Sequence, residues 1–117
     1  MFEVVFNQVS AAEMSALDTL SQLELMDGFQ FTKEELAADS DKFGILSLDD
    51  RKLYRYRLGD YRIYFELDDK HAIVHRVLHK NTLSDFSYRT NPSDTTEDEA
   101  LQSSKHFWSL IDEGKQS

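Results

Sequence analysis

The sequence predicts an α+β fold: a first strand, two helices and an antiparallel meander in the order β-α-α-β-β-β, followed by a C-terminal helix. Two observations carry that prediction. Residues 53–67 alternate with period 2 in aromatic and branched residues. Tyr54, Tyr56 and Leu58 fall on one side, as do Tyr61, Ile63, Phe65 and Leu67, and the two runs are broken only by Gly59-Asp60. That is the pattern of a β-hairpin. Around the hairpin, three Ser/Thr-x-x-Glu boxes (Ser10–Glu13, Thr32–Glu35 and Thr96–Glu99) each precede apolar residues at helical spacing and mark helix starts.

The elements follow in order. Phe2 to Phe6 reads as the first strand. After the Ser10 box, Met14, Leu17, Leu20 and then Leu23 or Met26 form one stripe of a helix ending at Gly28, and that stripe is expected in the core. The Thr32 box opens a shorter helix to about Ala38 with Leu36 and Ala37 inward. Residues 39–50 read as an acidic loop, whose Phe43, Ile45, Leu46 and Leu48 either tack it onto the core or form a short edge strand. The hairpin follows, then a turn at Asp68-Asp69-Lys70 and a strand from His71 to His79. Strict alternation there puts Ile73, His75 and Val77 on one side and Val74, Arg76 and Leu78 on the other. A further short strand is expected at Phe86 to Arg89. The domain is thus placed at 1–89, a linker containing the single proline at 90–96, and a C-terminal helix at 97–113. Phe107 and Trp108 are too apolar to face water and dock on the domain, a sister chain or a partner. With helices on one sheet face, the other is expected to be open.

The chain has 117 residues, enough for one core, and no cysteine, which excludes disulfides, thiolate metal sites and cysteine nucleophiles. It shows no signal-peptide pattern and no apolar run near the ~18–20 residues of a membrane span, so a soluble, cytoplasmic protein is expected. Net charge is −9, but it is unevenly spread: residues 51–80 carry eight Lys/Arg against four Asp/Glu, while residues 1–50 carry two against eleven. The hairpin is a basic island in an acidic chain, and local sign governs a binding face because salt screens distant charge.

Parity sharpens that island. Arg55, Arg57 and Arg62 share the face opposite the aromatics, and Arg76 and Lys80 share a parity that brings them to it. Five cations on one sheet face suit a phosphodiester backbone or a carboxylate-rich segment. Tyr64 on the same side offers a ring for a base to stack on. The plainer alternative is a solvated face whose arginines pair with Asp60, Glu66 or Asp68. His71, His75 and His79 recur every four residues, but on a strand they span ~13 Å end to end, too far for one metal ion. His75 is expected to be buried or edge-packed, and His79, at the strand end, is the histidine placed for proton transfer.

The run Arg55-Tyr56-Arg57-Leu58-Gly59-Asp60-Tyr61-Arg62-Ile63-Tyr64-Phe65, followed by His75-Arg76-Val77-Leu78-His79-Lys80, resembles the RelE/ParE superfamily of bacterial toxin–antitoxin toxins. The element order is also that superfamily's. The resemblance implies one of two activities and no cofactor. RelE-like members cut mRNA on the ribosome without metal, by attack of a ribose 2′-OH on its own phosphate. ParE-like members bind DNA gyrase, and a catalytically silent member would engage a protein through the same face. Carried over to this chain, the nuclease reading makes Arg62 the holder of the scissile phosphate, with His79, Lys80 and Tyr88 as further catalytic residues. Arg55, Arg57, Tyr64 and Arg76 then bind substrate. The chain departs from the pattern with Phe86 where the tyrosine is common, Tyr88 two residues on, and Lys80 where arginine is usual. The resemblance also implies a cognate antitoxin over the arginine face, with the Trp108 helix occupying part of that face in its absence and offering a route to an oligomer.

Overall fold

A computed structural model of the chain describes residues 2–38, 42–84 and 94–115. Five strands form one sheet in the order β1-β5-β4-β3-β2, where β1 is Glu3–Phe6, β2 Phe43–Leu48, β3 Arg51–Leu58, β4 Tyr61–Asp68 and β5 His71–His79. β1 runs parallel to β5, and the remaining pairs are antiparallel. The mixed α+β layout expected from the sequence holds. The run 43–48 is the edge strand β2, one of the two alternatives open for it.

All three hairpin connections are two residues long, and the first residue of each has positive φ: Asp49, Gly59 and Asp69. Gly59 takes φ 58° at no steric cost, while aspartate is among the few other residues that tolerate this region. The tight turns fix register, so Tyr54 faces Phe65, Tyr56 faces Ile63 and Arg57 faces Arg62.

The single N-terminal helix expected from the Ser10 box is two helices, α1 (Gln8–Ser15) and α2 (Thr19–Gly28). Asn7, not Ser10, caps α1, and Ser10 sits three positions in, its hydroxyl donating to Val74 O at 2.9 Å. Asp18 caps α2, accepting from Ser21 N at 3.2 Å and from the Ser21 hydroxyl at 2.6 Å. The break at 16–18 resets the helical phase. Met14 and Leu25 are buried, but Leu20 and Leu23 are 65% and 63% exposed and Met26 is 40% exposed, so the expected stripe does not continue into the core. The Thr32–Glu35 box forms as expected, with reciprocal bonds of 3.3 and 3.2 Å, and opens α3 (Lys33–Ala38).

These three helices cover one sheet face. Phe29, Phe31, Phe43, Tyr56 and Phe65 interlock there with ring centroids 5.0–5.4 Å apart, mostly tilted or edge-on. β5 joins through Val74 and Val77 together. Strict alternation would separate them. The register slips between Tyr64, opposite Arg76, and Phe65, opposite Val74, so His75 is the extra residue of a β-bulge and the parity changes there.

The other sheet face is not open. After α4 (Lys80–Ser84), the chain returns as α5 (Asp94–Gln102) and α6 (Lys105–Lys115), two helices where one over 97–113 was expected. Residues 103–104 separate them, and the Ser104 hydroxyl caps α6 by accepting from Phe107 N at 3.2 Å. Leu101, Phe107, Trp108 and Ile111 pack onto Leu46, Leu53, Tyr64 and Leu78 in a second core. The Trp108 helix therefore docks on the domain itself. The strand expected at 86–89 lies outside the described residues. Among the described residues, no helix is long and apolar enough to cross a membrane.

Candidate functional site

Hairpin register assembles the arginine row. Arg57 lies opposite Arg62, and Tyr64 lies between Arg55 and Arg76 on its two neighbouring strands. The sequence-based clustering of these residues on one face is thus reproduced, but α5 and α6 change their surroundings.

Arg55 is 2% exposed, with its Nε 3.1 Å from Asp98 Oδ1 of α5. The pair lies flat on the sheet because residue 44 on β2 is glycine: a Cβ there would collide with the Asp98 carboxylate and the Arg55 guanidinium. Arg76 donates through Nε and Nη2 to Glu13 of α1, at 2.7–3.1 Å, and through Nη1 to Leu110 O of α6 at 2.9 Å. Glu13 Oε1 also accepts Val77 N at 3.0 Å, beyond the end of β1 (which pairs only with residues 71–74), on the side of β5 away from β4. Tyr64 is fully buried, its ring edge-on to Phe107 at 4.9 Å, so it has no open face for a base. Arg51, in the pair next to the β2–β3 turn, lies 4.8 Å from the Trp108 ring centroid and reaches Asp112 at 3.0 Å.

The remaining predicted residues gather at the β3–β4 turn. Arg62 is 6% exposed, and its Nη1 donates back to Gly59 O at 2.9 Å and Tyr61 O at 3.1 Å. Arg57 is half-buried beside it. Lys80 does not extend the arginine row, because β5 ends at His79 and Lys80 begins α4. Its backbone N–H donates to Asp60 O at 2.7 Å, and its ammonium lies 3.2 Å from Asp60 Oδ1. His79 pairs across the sheet with Tyr61, edge-on at 5.2 Å, and so has the parity of the aromatic face rather than that of Arg62. Its Nδ1 accepts Asn81 N at 3.0 Å, which puts the proton of the neutral ring on Nε2, 3.9 Å from Asp60 Oδ2. Held this way, neutral His79 has no spare lone pair with which to take a proton. Tyr88 lies outside the described residues.

Each spaced histidine has its own carboxylate: His71 with Glu3, His75 with Glu66 at 3.3 Å, and His79 with Asp60. Among the described residues, no group of three or more His, Asp or Glu is placed to hold a metal ion.

A family model described as the ParE toxin of the type II toxin–antitoxin system parDE matches residues 16–83, more than half of the chain. The chain belongs to the ParE toxin family. It is therefore a toxin of a toxin–antitoxin system, and that membership implies an antitoxin protein as partner. A search of curated proteins gave no match. The family match ends at 83, so α5 and α6, which supply Asp98, Asp112 and Glu113 to the arginine row, lie beyond it.

Sequence reasoning missed these counter-ions. Asp98 reads as a dipole-complementing residue of a helix start, and Glu13 reads as half of a capping box. The available signal was the acidic content of residues 94–113 set beside an arginine-rich sheet face in the same chain.

Proposed function

We propose that this toxin acts by gripping a protein target rather than by cutting RNA, with DNA gyrase the target that its family resemblance supplies. One observation carries the reading: the arginine face is built into a core by α5 and α6, with Arg55, Tyr64 and Arg76 engaged in packing and ion pairs. A phosphodiester would have to displace Asp98 from Arg55 and Glu13 from Arg76. It would also have to expose Leu101, Phe107 and Ile111, all fully buried, at about 1.5–3 kcal/mol for each side chain. The orientation of His79 supports the same reading.

Inducible expression in bacteria tests it. Growth arrest with intact mRNA, and loss of supercoiling by purified gyrase, is the expected result. Cleavage of ribosome-bound mRNA that disappears in Arg62→Ala overturns it. The second reading, a metal-independent mRNA endoribonuclease, is favoured by the gathering of Arg62, His79 and Lys80 at one end of the sheet. It requires cleavage that is lost in His79→Ala and Lys80→Ala.

A further inference from the structure

Large apolar side chains left in water gather on one helix. Leu20, Leu23 and Met26 of α2 are all exposed, while Leu25 of the same helix points the other way into the aromatic core. Positions 20, 23, 24 and 27 recur at i, i+3, i+4 and i+7 and so share one face, with Met26 at its border. That spacing normally marks a stripe buried in a core. Here it carries two leucines into solvent, and a cleft of about 510 Å³ opens beside them between Leu23, Glu24, Met26, Asp27 and Gln30. An apolar patch rimmed by polar groups is the mark of an interaction surface.

The rim has one sign. Residues 1–32 hold five Asp/Glu and no Lys or Arg. Glu13 is taken up by Arg76, and Glu3 faces His71, whereas Asp18, Glu24 and Asp27 stand exposed on or beside α2. Asp27 lies in the last turn of α2, where the helix dipole disfavours a carboxylate, and that turn holds no basic residue to answer it. A cation brought by a partner would relieve that mismatch.

We propose that the outward face of α2 is the surface with which this toxin grips gyrase. The matching surface on gyrase is apolar at its centre, to cover Leu20 and Leu23, and carries Lys or Arg at its rim, towards Glu24 and Asp27. An enzyme that handles DNA is supplied with such cations, because it has phosphates to neutralise. A second copy of this chain fits less well: a two-fold pairing of α2 with itself would set Asp18, Glu24 and Asp27 against another acidic set. The inference rests on gyrase as the target and names the surface that holds it. It makes the arginine face a scaffold, and places recognition on the opposite side of the sheet.

The test is binding of the full-length toxin to purified gyrase by calorimetry, with inhibition of supercoiling read in parallel. Leu20→Ala with Leu23→Ala, and separately Glu24→Lys with Asp27→Lys, each weaken binding at least tenfold and raise the inhibitory concentration to match. Circular dichroism and the thermal midpoint stay unchanged, since all four side chains are exposed; if the alanine pair does not fold, the lysine pair decides. Rising salt weakens the wild-type complex and has less effect on the lysine pair. Wild-type affinity in both variants overturns the α2 surface but leaves gyrase as the target. A wild-type toxin that neither binds nor inhibits gyrase removes the target and the surface together. Variants that keep gyrase and lose the cognate antitoxin make the antitoxin the occupant and overturn the choice. A wild-type dimer that the alanine pair dissociates makes it a second copy, with the same consequence.

Discussion

Facing α1–α3, the sheet is held by interlocked aromatic rings, with Phe29, Phe31, Tyr56 and Phe65 almost wholly removed from water. Facing α5–α6, the same strands present Arg51, Arg55 and Arg76 among a smaller apolar set, and the helices answer with Asp112, Asp98 and Glu113. Apolar burial is non-directional and tolerates repacking. A buried ion pair adds little net stability, because desolvating the charges offsets much of their attraction, but it has one geometry. The comparison therefore assigns different jobs to the two faces: the aromatic face supplies most of the stability, and the arginine face fixes where α5 and α6 sit.

Four substitutions or conditions sharpen that division, in falling order of expected effect. Phe29→Ala strikes the aromatic face and should lower unfolding free energy by about 3–5 kcal/mol, read by urea denaturation; a loss under 1 kcal/mol would contradict the assignment. Asp98→Ala leaves Arg55 buried without its α5 carboxylate and should cost about 3 kcal/mol. The pair replacement Arg55→Met with Asp98→Leu should recover most of that loss, and a double-mutant cycle measures the coupling. If the double variant is as unstable as the single, the pair contributes stability and not only position. Glu13→Ala strips a ligand from both Arg76 and the Val77 N–H, and should cost about 1–3 kcal/mol with faster amide exchange at Val77.

The smallest effect is a pH dependence. The hydrogen bond from the Ser21 hydroxyl, followed by that from Ser21 N, holds the exposed Asp18 carboxyl below its ordinary value. A carboxyl whose folded value is depressed contributes stability above the unfolded value and loses it as pH falls through the folded one. The start of α2 should therefore fray only below the ordinary aspartate range, seen as a helical-signal decrease in that acid window that is absent in Asp18→Asn.

Much of the fold follows from local rules. The hairpin 53–67, its two-residue turn, the strand His71–His79 and the Thr32 capping box depend on side-chain period and turn chemistry, which act over a few residues and are written in the sequence. The clustering of Arg55, Arg57 and Arg62 on one face follows from the same parity. The family-typical toxin hairpin is equally local, so the resemblance is legible in the residues themselves. Elements that compete with an equal neighbour were not legible. Asn7 and Asp18 outcompete Ser10 as caps and split one helix in two, exposing Leu20 and Leu23. The bulge at His75 forms because Arg76 is drawn to Glu13 and Leu110 while Val74 and Val77 are both wanted in the core, and no strand pattern records that compromise.

The arginine row marks the division between the two kinds of information. Sequence alone determined that these cations share a sheet face, because period-2 geometry and a tight turn leave no alternative. Only tertiary structure decided what they hold. Partner choice depends on segments some forty residues away in the chain, where Asp98 of α5 finds Arg55 over Gly44 and Phe107 covers Tyr64. Contacts at that separation are fixed by burial of a whole helical pair, a sum over many side chains that no local pattern contains.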